Sequence, residues 1–407
     1  MKPIELDGTT GEGGGQLVRV AVGLSALTSQ PVRIVNVRGN RQGGRGGGLK
    51  VQHVTSISWL AQVTDADVEG LSVGSKNLTF IPKKSPTQLA GREFHIKAES
   101  DAASALLILQ AMTPYLLFAA NDAGDPITLH IDGGTNVDWS LSYEYFDQVL
   151  MPTLEEKFGL KIERHLDVRG WSLGPASRGS ITLKIHPVPK GQTLKYTPPN
   201  KYTFPTSYDV STIDVNIIAP ISFHAQLQSQ LVNDLEVLYP EADVQFKLTE
   251  GSGSDARWSV LLVAHSPDGI RWGRDVLRSM PKRISREVFI KKLSSLVCRE
   301  LYDEISLCGQ VDEHLQDQVI ALQALCEGYS SFPRGDHPVD SNSEADLVGQ
   351  IDSLSLEGSR VRREKTHEPF GHGSGHTQTA RWVASQLLPK AEFYNKGDFV
   401  KGIGFSL

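Results

Sequence analysis

The chain has 407 residues, 39% of them hydrophobic and 22% charged, ordinary proportions for a globular protein with a substantial core and two or three domains. A net charge of −6 excludes a global basic field able to grip long nucleic acid, so any such contact is expected at an end or a pocket. Three cysteines without CxxC spacing, an N-terminus unlike a signal peptide and no apolar run near the ~20 residues that span a bilayer are expected of a cytosolic or nuclear protein.

Apolar spacing predicts a strand at residues 4–6, a glycine-rich turn at 8–15 and a buried helix at 17–27. A strand at 31–37, a loop rich in Gly and Arg at 38–48, a helix at 49–63 and paired strands at 66–73 and 78–81 follow. The order then recurs, with strand 94–98, helix 102–120, strand 127–131, helix 143–158 and strands 160–165 and 181–185. A third copy is assembled from helices 285–305, 313–327 and 376–388 and strands 391–394 and 399–405. The expected fold class is α+β: a large body of three repeated βαβαββ units, each burying a sheet face under two helices, with a smaller inserted α/β domain.

Two stretches interrupt the scheme. Residues 190–281 open with Pro and Tyr and continue with strand 211–218, helix 225–238 and strands 243–247 and 258–264, enough for the insert. The body is then 1–189 and 282–407. Residues 329–372 are polar and are expected to form a long mobile loop within the body. Its cluster Arg360-Val361-Arg362-Arg363-Glu364-Lys365 fits a solvated charge run or a nuclear-targeting patch.

Four groups of residues could carry chemistry. The turn at 8–15 can aim backbone N–H groups at a phosphate, although no Gly-Lys-Ser/Thr follows and Gln16 breaks a GxGxxG pattern. Its Glu12 suits a divalent ion bridging nucleotide phosphates. Arg38, Arg41, Arg45 and Lys50 make a local anion trap in an acidic protein. His314, Asp317 and Gln318 share one helix face, with Leu315, Val319 and Leu322 on the other. Finally, Gly373-Ser374-Gly375-His376-Thr377 leads into an amphipathic run closed by Pro389, which puts His376 at a helix N-terminus, where anions are favoured. A neutral imidazole facing a bound phosphate is a competent nucleophile toward phosphorus.

Together these residues form a pattern. Asp7-Gly8, Gly11-Glu12-Gly13-Gly14-Gly15-Gln16, Arg19, Arg38, Arg41, Gly48-Leu49, Gln52-His53, Gly133-Gly134-Thr135-Asn136, His314-Leu315-Gln316-Asp317-Gln318 and His376-Thr377 occur in one order. In this the chain resembles the RNA 3′-terminal phosphate cyclase family, as a eukaryotic, fungal-like member, over most of its length outside 190–280 and 329–372. The resemblance implies ATP-dependent conversion of an RNA 3′-phosphate into a 2′,3′-cyclic phosphate through a histidine–AMP intermediate and an RNA-adenylate. It implies His376 as the nucleophile and Glu12 as a ligand of a divalent metal, Mg or Mn. Gln110, His314, Leu315, Gln316, Asp317 and Gln318 would hold the nucleotide, and Arg19, Arg38, Arg41 and Gln52 the RNA phosphate. RNA 3′-phosphate ends are the implied partner, a membrane is not, and the nucleus is the implied location.

Three features depart from the family. The segment Arg169-Gly170-Trp171-Ser172-Leu173-Gly174-Pro175-Ala176-Ser177-Arg178-Gly179 has lost the family's glycine run, Leu141 stands where a proline is usual, and the Arg41 loop is longer. The alternative is a catalytically silent, cyclase-like ribosome-biogenesis factor, which shares the fold but lacks the histidine. An enolpyruvyl-transferase-like enzyme is a further alternative, set aside because its Lys/Arg phosphate positions are missing.

Overall fold

A computed structural model describes residues 2–41, 46–198, 208–334 and 362–407. Arg45, the core of the long loop at 335–361 and the Pro- and Tyr-rich start of the insert at 199–207 lie outside the described residues.

The first unit follows its sequence pattern closely. Val32, Ile34, Leu78 and Phe80 alternate inward on short strands, and the helices Gly15–Thr28 and Val51–Thr64 lie in the same apolar cluster. Strand Ile4–Asp7 pairs in parallel with Val32–Val35, which pairs antiparallel with Leu78–Ile81, itself antiparallel to Asp67–Glu69. The second unit repeats that order and those senses with Glu93–Lys97, Ile127–Gly133, Gly179–His186 and Lys161–Val168. Its helices are Ala105–Leu117 and a run through 143–158 whose middle, Phe146–Leu150, is a π turn.

The C-terminal sheet orders Tyr329–Ser331, Phe399–Lys401 and Glu392–Tyr394, all antiparallel, beside helices Glu313–Leu325 and Gly375–Leu387. A parallel bridge between Lys195 and Glu327 supplies the position of a first strand. Residues 194–196, expected within the insert at 190–281, therefore go with the body: Leu194 and Tyr196 pack in its core and Lys195 bridges Glu327. Part of the stretch expected as loop is ordered: Tyr329–Ser331 is a strand, and Arg363 bridges Tyr394. Its partners at 394–401 are far away in sequence, so local polarity concealed the pairing. No helix among the described residues is long and apolar enough to cross a membrane.

The insert has its own core. Strands Thr212–Ala219, Asp243–Gly251, Trp258–His265 and Arg271–Arg278 form one sheet, covered by helix His224–Leu238. Helix Arg286–Ile305 buries Phe289, Ile290, Leu293, Val297 and Leu301 in this second core. That corrects two expectations: the helix belongs to the insert rather than to the third unit, and the insert's core runs past residue 281 to Ile305. An apolar stripe shows that a helix covers something, not which sheet it covers.

The two cores are bolted together by charge. Glu304 of the insert, 2% exposed, accepts from Arg334 Nε at 2.8 Å and Nη2 at 3.0 Å and also pairs with Arg274. Arg274 reaches Glu313, at the start of the helix that carries His314 and Asp317. The altered segment at 169–179 is tied to both cores. Arg169 bridges Glu144 of the body at 2.6 Å and Glu250 of the insert at 2.9 Å, and Arg257 sits 5.3 Å from the Trp171 ring.

Candidate active site

The glycine turn at 8–15 stands directly against helix Gly375–Leu387. At Gly11, φ is 67° and an added Cβ would collide with Thr379 Oγ1, so only glycine fits there. Thr379 explains the closeness: its hydroxyl accepts the Glu12 backbone N–H at 2.9 Å and donates to the Gly375 carbonyl at 2.6 Å. Ser374 caps the helix by accepting the Thr377 N–H. Gln378 donates to the carbonyls of Gly371 and Gly373, and the fully buried Arg381 to those of Phe370 and His372. The loop that presents His376 is thus held by two polar side chains of the helix it precedes, Gln378 and Arg381.

His376 is half-buried, and its Nδ1 lies 3.6 Å from Glu12 Oε2. The other Glu12 oxygen pairs closely with Arg41. Burial lowers the His376 pKa below the ordinary histidine value; the Asp317 charge opposes this, while Arg19 and Arg41 reinforce it. Asp317 is shifted the other way, raised by burial against the pull of His376 and Arg19. The balance leaves a neutral imidazole at neutral pH, the form with a free lone pair.

A second set of donors converges beside Gly15. A Cβ there would meet Arg19 Nη1 at 2.7 Å and His53 Nε2 at 2.8 Å. Arg19 is buried and oriented by Gln110 Oε1 at 2.5 Å and Gln16 Oε1 at 2.6 Å. Burial lowers its pKa to about 10, which still leaves it cationic at neutral pH. His53 is buried and its Nδ1 accepts the Lys50 N–H at 3.0 Å, so the hydrogen of the neutral ring is on Nε2. Burial, with Arg19, Arg38 and Lys50, drives its pKa well below the ordinary value. That Nε2 has no hydrogen-bond partner among the described residues. A buried donor and a buried cation aimed at one point form an anion site. Arg38, half-buried, braces the neighbouring glycine loop through the carbonyls of Gly46 and Gly48. Gln52 is partly exposed on the first turn of helix Val51–Thr64.

The helix Glu313–Leu325 forms the third wall. Asp312 caps it, accepting from the N–H groups of His314 and Leu315 at 2.9 Å, and is fixed by Tyr145 Oη at 2.6 Å and the Gly273 N–H at 2.8 Å. Leu315 turns into the apolar core and offers a ligand only its backbone. Gln316 is buried near Gly373, and neither of its amide atoms is hydrogen-bonded among the described residues. Gln318 donates to Asp317 Oδ1 at 2.5 Å. Asp317, Gln318 and Gln110 open onto an apolar cleft lined by Leu106, Leu109, Pro114, Leu141, Phe146 and Leu322. The π turn at Phe146–Leu150 contributes two of its lining residues, Phe146 and Leu150.

The structure therefore gathers Glu12, Arg19, Arg41, Gln110, Asp317 and His376 around one crevice. It adds Gln16, His53, Thr379 and Arg381, whose roles depend on partners distant in sequence. Among the described residues no cluster of His, Cys, Asp or Glu could alone hold a metal ion. Glu12 remains a fit for one, because Mg²⁺ ordinarily takes one or two carboxylates and completes its shell with water and substrate phosphates.

Sequence comparisons relate the chain to proteins already named. The family model described as RNA 3′-terminal phosphate cyclase matches residues 10–391. An RNA 3′-terminal phosphate cyclase of Methanopyrus kandleri is 31% identical over 339 residues, covering 82% of this chain and 88% of that one. A protein of the same name from Pyrococcus abyssi is 33% identical over 328 residues, 80% of this chain and 86% of its own. Another from Drosophila melanogaster is 30% identical over 339 residues, 82% and 86% of the two chains. With a family match over nearly its whole length and relatives at about a third identity, the chain belongs to the RNA 3′-terminal phosphate cyclase family.

Proposed function

We propose that this protein uses ATP to convert an RNA 3′-terminal phosphate into a 2′,3′-cyclic phosphodiester, with His376 as the nucleotide-accepting group. The observation that carries the reading is the placement of His376, whose Nδ1 lies 3.6 Å from Glu12 Oε2 beside Asp317 and Arg19, with burial favouring the neutral imidazole. A proton on Nδ1, directed at Glu12, leaves the Nε2 lone pair available. That nitrogen attacks the α-phosphorus of ATP, the bond to pyrophosphate breaks, and AMP is held on the histidine. An oxygen of the RNA 3′-phosphate then takes AMP from the nitrogen and forms an RNA-adenylate. The adjacent 2′-OH attacks the terminal phosphorus, loses its proton and expels AMP. Because that hydroxyl is already in place, the effective molarity of the last step is high.

Each wall has a task in this sequence. The apolar cleft suits a nucleobase, with Gln110, Asp317 and Gln318 as its polar contacts. Arg19 and the His53 Nε2–H suit the RNA phosphate, with Arg38, Arg41 and Gln52 nearby in sequence. When bound, a divalent ion at Glu12 would neutralise charge on the nucleotide phosphates. His376 also weighs against the catalytically silent alternative, which was defined by lacking that histidine.

The test is an oligoribonucleotide with a labelled 3′-phosphate, incubated with the protein and ATP. The label is expected to become resistant to phosphatase. A 2′-deoxy terminus, which has no attacking hydroxyl, is expected to stop at the adenylate. Retention of full phosphatase sensitivity in the ribose substrate would overturn the proposal.

A further inference from the structure

We propose that Trp139 is a stacking platform for a nucleobase at the 3′ end of the RNA, an inference that rests on the cyclase reading above. Its side chain is 96% exposed, the most open large apolar group among the described residues. Its backbone φ of 64° lies in the left-handed region, where a bulky L-residue is strained. Neither packing nor backbone preference accounts for tryptophan at this position. Strain kept in an exposed residue points to a use for the side chain.

The loop around it is anchored. The Asp138 N–H donates to Ser172 Oγ at 3.1 Å, Ser140 Oγ meets Ser104 Oγ at 2.6 Å, and the Ser142 N–H donates to Asp275 Oδ2 at 3.2 Å. The next two residues, Ser140 and Leu141, line the apolar cleft together with Asp317, whose charge acts on His376. One end of the loop thus walls the cleft and the other holds an indole in solvent beside it. The base of a nucleotide would occupy the cleft itself. A ring left outside fits the base of a polymer whose end reaches the site. Stacking on an exposed aromatic side chain is how single-stranded ends are held with little sequence preference. In a protein of net charge −6, such a contact compensates for weak attraction along the phosphate backbone.

Trp139→Gly tests this, because glycine removes the ring and adopts the same φ without strain. The variant is expected to melt at or above the wild-type temperature. Its KM for a 3′-phosphorylated oligoribonucleotide is expected to rise about 5- to 100-fold, with kcat at saturating RNA retained. Trp139→Phe should recover most of the loss. With wild-type protein, an abasic terminal nucleotide should raise KM comparably, and Trp139→Gly should no longer distinguish it from the normal substrate. An unchanged KM in Trp139→Gly, or a rise that the abasic substrate does not reproduce, would overturn the inference alone. Wild-type protein that cyclises no 3′-phosphorylated RNA would instead remove the cyclase reading and this inference with it.

Discussion

Nδ1 of His376 lies 3.6 Å from Oε2 of Glu12, so the opening glycine turn and the helix Gly375–Leu387 share one site. Thr379, one turn along from His376, fixes the distance by accepting the Glu12 N–H. The carboxylate thereby lies beside the imidazole, and its other oxygen pairs with Arg41.

Removing that carboxylate should be costly to chemistry. Glu12→Ala is expected to slow nucleotide transfer to His376 by about a hundredfold or more, the scale of a lost charge-stabilising group in an active site. Rapid-quench measurement of labelling by ATP checks this. A rate within a factor of about three of wild type, well under that scale, would remove Glu12 from the reaction.

The pH dependence follows from the shifts at the crevice. The nucleophile is the neutral ring, and burial holds the His376 pKa below 6.5. The acid limb of labelling should therefore have its midpoint below pH 6.5. Asp317 pulls the His376 pKa upward, so Asp317→Asn should move the acid limb further down. A limb that moves up in that variant would contradict the assigned geometry. ATP use is expected to weaken in the same variant while its melting temperature changes little.

The charge cluster between body and insert makes a stability prediction. Glu304→Ala leaves Arg274 and Arg334 buried with their main acceptor gone, and such a break typically costs about 3–5 kcal/mol. Urea unfolding of the variant, followed at the tryptophans, reads this directly. A loss below about 1 kcal/mol, the scale of an exposed ion pair, would mean that the cluster is solvated.

Much of the fold was legible because the first two units are local. Their strands alternate apolar residues and their helices carry continuous stripes, so order and type follow from spacing. The third unit was harder, since the insert separates Lys195 from its partner Glu327. Strand Arg271–Arg278 is not legible in the sequence, because charge at Arg274 and Asp275 hides a strand whose polar side chains find their partners, Glu304 and Ser142, only once the chain is folded. At the site, Glu12 and His376 stood out through a glycine turn and a helix start, and Arg19 through the family resemblance alone. His53 did not, because its role depends on Lys50 turning its Nδ1 inward and on Gly15 leaving room for Nε2. Leu315 was drawn into the nucleotide set only by its place in a motif, whereas its side chain serves the core.

The most direct measurement is incubation of the protein with ATP labelled at the α-phosphate, followed by denaturation and peptide mapping. The account predicts one label in an acid-labile, alkali-stable bond on the peptide containing His376, and none in His376→Ala. Label on another residue, or stable nucleotide incorporation that survives His376→Ala, would contradict it.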